Sequence, residues 1–471
     1  MSSTEQLLKG FEPDFEFVGA PPLAEAEYAD RIRRVRRDAT VAGYDAVVVH
    51  TGPAGWYHTT NDYLRYLCDW AREGVLIIPT DETGTPEIVS FWTETVLLPP
   101  KGEPVGIDDI WQVSPFGRES VGRPGSPLKK TVEAVADILD RLGLSRGSIG
   151  LIGDAQGSAA GFFTGIRAVM PGAEFANDNG IVDRMQRVRS AGEVALIRSA
   201  AQLIDIACQA AYHVTRPGVT DYEIYAAFTY AQLSRGGETG DGYQIGISRY
   251  GAHCGKPYGH VVRPGDLINL YVSNVSYHGY CAQTARMIAV GDVTEEQDRV
   301  LEMCTEGVYR AEQLIKPGAR FQDLHNAAFS SYIERGYMTD AETRTMPYIW
   351  SALDDGSPRQ VPKQYVEDED WEAQGRKLMH VWPATKGPHN PNLGHAVGTP
   401  MLPHYNVTSH NTDVMEPGMC FVLHAQWLEP LVSGCNVGNM YVVTEDGFEN
   451  LSNHTPLDTH RVEVAKSLTL A

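Results

Sequence analysis

Short apolar runs alternate with amphipathic segments along the first part of the chain. The runs "DAVVVHT", "GVLIIPT", "PEIVSFW" and "SIGLIG" are rich in β-branched residues, which predicts four strands. The segments "EYADRIRRVRRDATVAGY" and "LKKTVEAVADILDRLGL" have the apolar spacing of helices. Because strands that alternate with helices form layered folds, we expect an α/β domain over residues 1–186.

A long helix is predicted to open a second domain near Ser190. Ser190 and Glu193 have the pattern of a capping box, in which each side chain accepts a bond from the other residue's backbone N–H. Thr220 and Glu223 mark the start of a further helix in the same way. The helical period after the first cap is carried by Val194, Ile197, Ala201, Ile204 and Cys208.

The strand pattern returns after these helices. It is found in "YQIGIS", "DLINLYVSNVSYHGYCAQTARMIAVG", "MCFVLHAQWL" and "NMYVVTEDGFENLS". Helices around a mixed sheet predict an α+β domain over residues 187–471. A polar, aromatic and proline-containing stretch at 337–386 is expected to be an insertion that caps the mouth of the sheet, since long loops are often functional.

Charge and composition exclude several classes of partner. The chain has 39 Lys and Arg against 60 Asp and Glu, a net charge of −21, so a nucleic-acid partner is not expected. No apolar run approaches the roughly 18 residues of a membrane span. The start, "MSSTEQLLKGFEPDFEF", lacks the order of a signal peptide, which favours a cytoplasmic location. The seven cysteines show no zinc-ribbon spacing and are expected to be reduced.

Six motifs in one order carry a family resemblance. They are "RMQRVRSAGEVALIRSAAQLID", "YGAHCGKPYGHVVRPGDLINL", "GYCAQTARMIAVG", "LGHAVGTPMLPHYN", "MEPGMCFVLHAQWL" and "NMYVVTEDGFENLS". Together they resemble the pita-bread family of creatinase, aminopeptidase P, prolidase and methionine aminopeptidase. The resemblance covers nearly the whole chain. It implies a creatinase-like N-terminal domain followed by a pita-bread domain.

The metal ligands of that family do not carry over. Its metal-dependent members hold two ions with Asp, Asp, His, Glu and Glu, because hard oxygen ligands suit a pair of dications. The resemblance places these ligands at Val272, Gln283, His395, His424 and Gly438. Four of the five have changed, so a two-metal site and a metal cofactor are not expected.

Among the family's members, the chain is most similar to creatinase, which works without metal. His253 matches the histidine that acts there as acid and base. Trp70 and Arg72 match a Phe-x-Arg pair that reaches the partner's active site, which implies a homodimer with a shared site. Creatinase's two glutamates do not carry over, because Ala285 and His424 stand in their places, so creatine is a poor candidate substrate.

Eight residues are candidate site residues. The histidines are proposed to be catalytic, because imidazole titrates near neutral pH and can act as base or acid. Substrate binding is assigned to an arginine that can clamp a carboxylate and to aromatic and amide side chains. A structural role remains open for each. The catalytic candidates are His253, His395, His404 and His424, and the binding candidates are Trp70, Arg72, Gln283 and Tyr271.

The predicted function is metal-independent hydrolysis of a non-peptide C–N bond. The substrate is expected to be small and polar and to carry a carboxylate. Peptidase action is not expected, because no metal would remain to generate hydroxide at neutral pH. Three alternatives stay open: a β-eliminating lyase, an enzyme with one histidine-ligated metal ion, and a binding protein without catalysis.

Overall fold

The protein is described from a computed structural model. The described residues are 7–50, 62–70, 74–90, 105–107, 109–112, 131–155, 159–238, 243–248, 256–335, 348–352, 358–362, 378–382, 392–398, 405–429 and 433–464. The chain divides into two compact units. Residues 21–187 and 399–402 form the N-terminal unit, and residues 1–20, 188–398 and 403–471 form the C-terminal unit.

The N-terminal unit is a mixed sheet with helices. Its helices are α1 (Glu25–Val41), α2 (Asp62–Cys68), α3 (Thr131–Arg141), α4 (Ala160–Val169) and α5 (Gly180–Asp183). Its strands are β1 (Ala46–His50), β2 (Val75–Pro79), β3 (Glu87–Ser90), β4 (Asp109–Gln112), β5 (Ser148–Ile152) and β6 (Glu174–Asn177).

The strands of this unit lie in the order β4-β3-β2-β1-β5-β6. The four predicted strands are β1, β2, β3 and β5. β6 was missed because it is a largely exposed edge strand, "EFAN", without an apolar pattern. Val47 and Val48, neighbours on β1, belong to two different hydrophobic clusters, so the sheet is buried on both faces.

Trp70 lies in the core of the N-terminal unit. Its side chain is fully buried in the cluster that contains Leu64, Leu67 and Ile88. This environment is that of a core residue, and a role for Trp70 in substrate binding stays a prediction. Arg72 lies outside the described residues.

His50 makes the stability of this unit pH-dependent. It is buried and stacks on Phe162 with ring centroids 4.8 Å apart, and burial lowers its pKa from 6.5 to about 4. Between pH 6.5 and 4 the unfolded chain therefore binds a proton that the folded chain does not. The free energy of unfolding should fall by about 3 kcal/mol over this range because of this residue.

We expect His50→Gln to remove that contribution. Denaturant unfolding at pH 7 and pH 4.5 should show a smaller acid-induced loss in the variant than in the wild type. The exposed His410 offers a control, since His410→Gln should leave the pH dependence unchanged. An equal loss in His50→Gln and the wild type would refute the assignment.

The C-terminal unit contains the larger sheet. Its helices are α6 (Ala191–Val214), α7 (Asp221–Leu233), α8 (Glu295–Glu312) and α9 (Phe321–Ile333). Its strands are β7 (Tyr243–Ser248), β8 (Leu267–Tyr277), β9 (Tyr280–Val290), β10 (Tyr348–Ala352), β11 (Pro358–Pro362), β12 (Leu378–Trp382), β13 (Asn392–Ala396), β14 (Asn406–Thr408), β15 (Cys420–Glu429), β16 (Ser433–Val443), β17 (Phe448–Asn450) and β18 (His460–Val462).

Nine of these strands form one sheet, in the order β14-β13-β15-β16-β9-β8-β7 with β17 beside β16 and β18 beside β9. A separate three-stranded sheet, β11-β10-β12, falls within the predicted insertion at 337–386. Its proposed capping role stays a prediction. The α+β class predicted from the sequence is confirmed by this combination of helices and sheet.

Both predicted capping boxes are confirmed. Ser190 and Glu193 bond each other's backbone N–H at the start of α6, and Thr220 and Glu223 do the same at α7. α6 is long and apolar enough to cross a membrane by length and composition. However, 72% of its most apolar window is buried inside the protein, as in a core helix.

The β8–β9 hairpin is closed by two residues with positive φ. Tyr277 pairs with Tyr280, and between them His278 has φ 49° and Gly279 has φ 79°. Such a turn matches the twist of paired strands and favours glycine. The Glu238 carboxylate accepts a bond of 2.9 Å from the Gly279 N–H. The turn therefore fixes which residues of the two strands face each other.

Candidate active site

One row of directly paired residues crosses the middle of the large sheet. His424 on β15 lies opposite Gly438 on β16, and Gly438 lies opposite Ala285 on β9. Ala285 in turn lies opposite Tyr271 on β8. Since directly opposite residues point to the same side of a sheet, all four share one face, which we call the site face.

Helices cover the other face. Arg286, the neighbour of Ala285, is buried and lies 3.9 Å from the Asp205 carboxylate of α6. Tyr441 on β16 donates a bond of 2.8 Å to the Glu312 carboxylate of α8. Arg286 is one residue from Ala285, and Tyr441 is three residues from Gly438. Because side chains alternate along a strand, an odd separation places both on the opposite side of the sheet. The site face is thus turned away from α6 and α8.

Tyr271 and Gln283 meet on the site face. The Gln283 Nε2 atom donates a bond of 2.8 Å to the Tyr271 hydroxyl. Val272, where the family resemblance placed the first ligand, lies opposite Thr284 on the other face. A bulge between Val272 and Val275 shifts the register, and a one-residue shift moves a side chain to the other face, so Tyr271 and not Val272 faces Gln283.

His395 and His424 also come together on this face. His395 lies opposite Val422, two residues from His424, and the two imidazole centroids are 5.4 Å apart. The Tyr271 ring packs edge-on against His424 with centroids 6.0 Å apart. Four of the candidate residues therefore form one cluster, while His253 and His404 lie outside the described residues.

Hydrogen bonds indicate complementary proton states for the two imidazoles. His395 Nδ1 lies 2.9 Å from the Ala396 carbonyl, so Nδ1 is the donor and Nε2 is left as the acceptor. Burial lowers the pKa of His395 below its usual 6.5, which favours the neutral ring. Gln426 Nε2 lies 3.2 Å from His424 Nδ1; an amide nitrogen can only donate, so His424 carries its proton on Nε2.

A family model matches more than half of the chain. The model of metallopeptidase family M24 matches residues 195–445. The chain belongs to this family. The six motifs of the sequence had indicated the same family, and that resemblance is confirmed.

Relatives and solved structures of this family carry peptidase names. An Xaa-Pro dipeptidase of Lactobacillus helveticus is 22% identical over 298 residues, which cover 62% of this chain and 67% of that protein. An uncharacterized hydrolase/peptidase of Sinorhizobium fredii is 29% identical over 225 residues, or 46% of this chain and 56% of that protein. The solved structure of an Xaa-Pro dipeptidase from Bacillus anthracis matches this chain with a TM-score of 0.65 at 18% identity. The match covers 92% of this chain and 100% of that protein. The fold is therefore of the pita-bread type.

The predicted function is corrected by these comparisons. A metal-independent hydrolase of non-peptide C–N bonds was expected, with peptidase action excluded. That prediction is wrong, because the family is one of metallopeptidases and its named relatives are Xaa-Pro dipeptidases. The error lay in reading the substrate class from the missing metal ligands, although substrate shape depends on the rest of the pocket. Hydrolase chemistry and likeness to Xaa-Pro peptidases stand.

The residues at the family's ligand positions do not fit a dinuclear metal site. With Tyr271 in place of Val272, the five positions hold Tyr271, Gln283, His395, His424 and Gly438, without a carboxylate. Within the described part of the chain, no group of three or more His, Cys, Asp or Glu side chains could hold a metal ion. Two dications need anionic oxygen ligands, so no catalytic step is assigned to such a centre.

The backbone also blocks a side chain at Gly438. A Cβ atom there would collide with the Leu423 carbonyl oxygen and lie 2.7 Å from His424 Cβ. We expect Gly438→Ala to lower the free energy of unfolding by about 1–3 kcal/mol, the usual cost of overpacking. A Cβ at Gly447 would meet nothing within 4 Å, so Gly447→Ala is the control. Equal unfolding curves for the two variants would contradict the packing described here.

Two polar residues of the site were missed in the sequence. Gln426, which orients His424, and Asn436, which lies opposite Gln426, are both on the site face. The alternation of side chains along β15 and β16 was the signal that could have found them. Gln426 is two residues from His424 and Asn436 is two residues from Gly438, so each shares a face with its neighbour in the row.

Proposed function

We propose that the C-terminal unit hydrolyses the amide bond of a short, peptide-like substrate bound on the site face. One observation supports this most: two imidazoles with complementary proton states lie side by side. His395 is neutral with Nε2 as acceptor, and His424 carries its proton on Nε2. The peptidase names of the relatives support the substrate class.

Each imidazole has one task in this reaction. His395 Nε2 accepts a proton from a water molecule as the water oxygen attacks the amide carbonyl carbon. His424 Nε2–H donates a hydrogen bond to the carbonyl oxygen as negative charge develops there. The proton taken by His395 passes to the leaving nitrogen, the C–N bond breaks, and a carboxylic acid and an amine are released. Gln283 donates a hydrogen bond to the Tyr271 hydroxyl, and the Tyr271 ring packs against His424, so both side chains lie beside the proposed reaction.

Assembly and location are parts of the proposal that rest on the sequence. A homodimer in which Trp70 and Arg72 serve the partner's site remains a prediction, as do the cytoplasmic location and the domain boundary at 186/187. The same holds for the catalytic roles predicted for His253 and His404.

A panel of Xaa-Pro and other dipeptides tests the proposal. Amine release is measured with the purified full-length protein in H₂¹⁸O, and binding of each dipeptide is measured by calorimetry. We expect at least one dipeptide to be cleaved, with ¹⁸O in the new carboxylate as hydrolysis requires. Saturating binding of dipeptides without any amine release would reject the proposal and favour a binding protein. Cleavage without ¹⁸O in the product would reject hydrolysis.

A further inference from the structure

Asn436 is a buried amide whose two polar atoms are unmatched within the described part of the chain. The side chain is fully buried, and neither Nδ2 nor Oδ1 has a hydrogen-bond partner among the described residues. A buried polar group left unmatched costs about 1–3 kcal/mol, so two such atoms in one side chain are costly. Groups of this kind are usually matched by a ligand or a water molecule.

Asn436 lies on the site face beside the row that contains His424 and Gly438. It is two residues from Gly438 on β16 and directly opposite Gln426, whose amide nitrogen lies 3.2 Å from His424. Asn436 therefore lies about 7 Å along the strand from Gly438, on the face to which His424 points.

The two unmatched atoms of Asn436 define the chemistry of the group that this side chain would bind. The described site residues Tyr271, Gln283, His395, His424, Gln426 and Asn436 include no carboxylate, ammonium or guanidinium group. A carboxamide such as that of Asn436 presents a donor and an acceptor side by side. A primary carboxamide matches both atoms in a two-point pair, whereas a carboxylate presents only acceptors and would oppose Oδ1.

We propose that Asn436 is a specificity-determining residue that selects a substrate with a primary carboxamide, such as a peptide amide, over one with a free carboxylate. This inference rests on the proposed function in one respect, namely that the bound molecule is a substrate for amide hydrolysis. The recognition itself is a binding property and is measured without turnover.

The test compares a dipeptide amide with the same dipeptide as the free acid. Their dissociation constants are measured by calorimetry for the full-length wild type, Asn436→Leu, Asn436→Ser and the exposed control Asn453→Leu. We expect the wild type and Asn453→Leu to bind the amide at least tenfold more tightly than the acid. Asn436→Leu keeps the size of the side chain but not its polar atoms, and should lose this preference.

Asn436→Ser keeps the test decisive if the leucine variant does not fold, because serine cannot form the two-point pair. Equal binding of amide and acid by the wild type overturns the proposal, as does an unchanged preference in the folded Asn436 variants. Amide-selective binding without cleavage rejects the proposed hydrolysis and supports the assignment of Asn436, so the two failures are distinguishable.

Discussion

Arg286→Met is expected to lower the free energy of unfolding of the C-terminal unit by about 3–5 kcal/mol, the usual cost of removing one partner of a buried ion pair. Arg286 is fully buried, and its guanidinium lies 3.9 Å from the Asp205 carboxylate. Burial raises the pKa of Asp205, and the charge of Arg286 opposes that increase. Removing Arg286 therefore leaves a buried carboxyl group without its cation.

The same guanidinium joins β9 to β16 beneath the row that contains Ala285 and Gly438. It donates bonds of 3.0 Å to the Ala285 carbonyl and 2.5 Å to the Gly438 carbonyl. These two residues lie directly opposite each other on β9 and β16. It also donates to Thr455 Oγ1 at 3.0 Å. Methionine fills the space but leaves these acceptors unmatched.

Chemical denaturation of the wild type and Arg286→Met measures the loss. Arg461 provides a matched control, because its side chain is 47% exposed and its ion pair with Asp298 lies at the surface. Arg461→Met should change the free energy of unfolding by less than about 1 kcal/mol. Similar losses in both arginine variants would contradict the structural role of Arg286.

His395→Ala is expected to reduce kcat for dipeptide hydrolysis by about 10²–10⁴-fold, the range for loss of a general base. KM should change little, because the proposed task of His395 is proton transfer. The exposed His410 is again the control, and His410→Ala should keep the wild-type rate. Wild-type kcat in His395→Ala would remove this residue from the mechanism.

The pH dependence provides a second measurement of His395. Its pKa is lowered by burial, so the ring stays neutral and basic below pH 6.5, where an exposed histidine is protonated. The wild-type rate should therefore persist as pH falls through 6.5 and decline only at a lower pH. A decline centred at or above pH 6.5 would show that the base is another group.

Much of the fold could be predicted because local signals agreed with the tertiary structure. The caps at Ser190 and Thr220 are set by neighbouring residues, and the apolar runs of β1 and β2 are buried on both faces. Strand β6 was not predicted, since an exposed edge strand needs no apolar pattern and is formed by pairing with β5.

The candidate site was predicted less well, because a strand site depends on register. The family motifs led to four of the candidate residues, and the structure places all four on one face of the sheet. They are His395, His424, Gln283 and Tyr271. The bulge after Val272 has no local signal, so the sequence could not show that Tyr271 and not Val272 faces Gln283. Asn436 has no distinctive sequence neighbours, and only the structure shows that it is buried without a hydrogen-bond partner among the described residues.

A crystal structure with a slowly cleaved dipeptide amide is the most direct test of the proposed hydrolysis on the site face. We expect the scissile carbonyl oxygen to lie within hydrogen-bonding distance of His424 Nε2, with a water molecule beside His395 Nε2. The terminal carboxamide should pair with Asn436. A ligand bound away from the site face, or two metal ions held at Tyr271, Gln283, His395 and His424, would contradict the proposed mechanism.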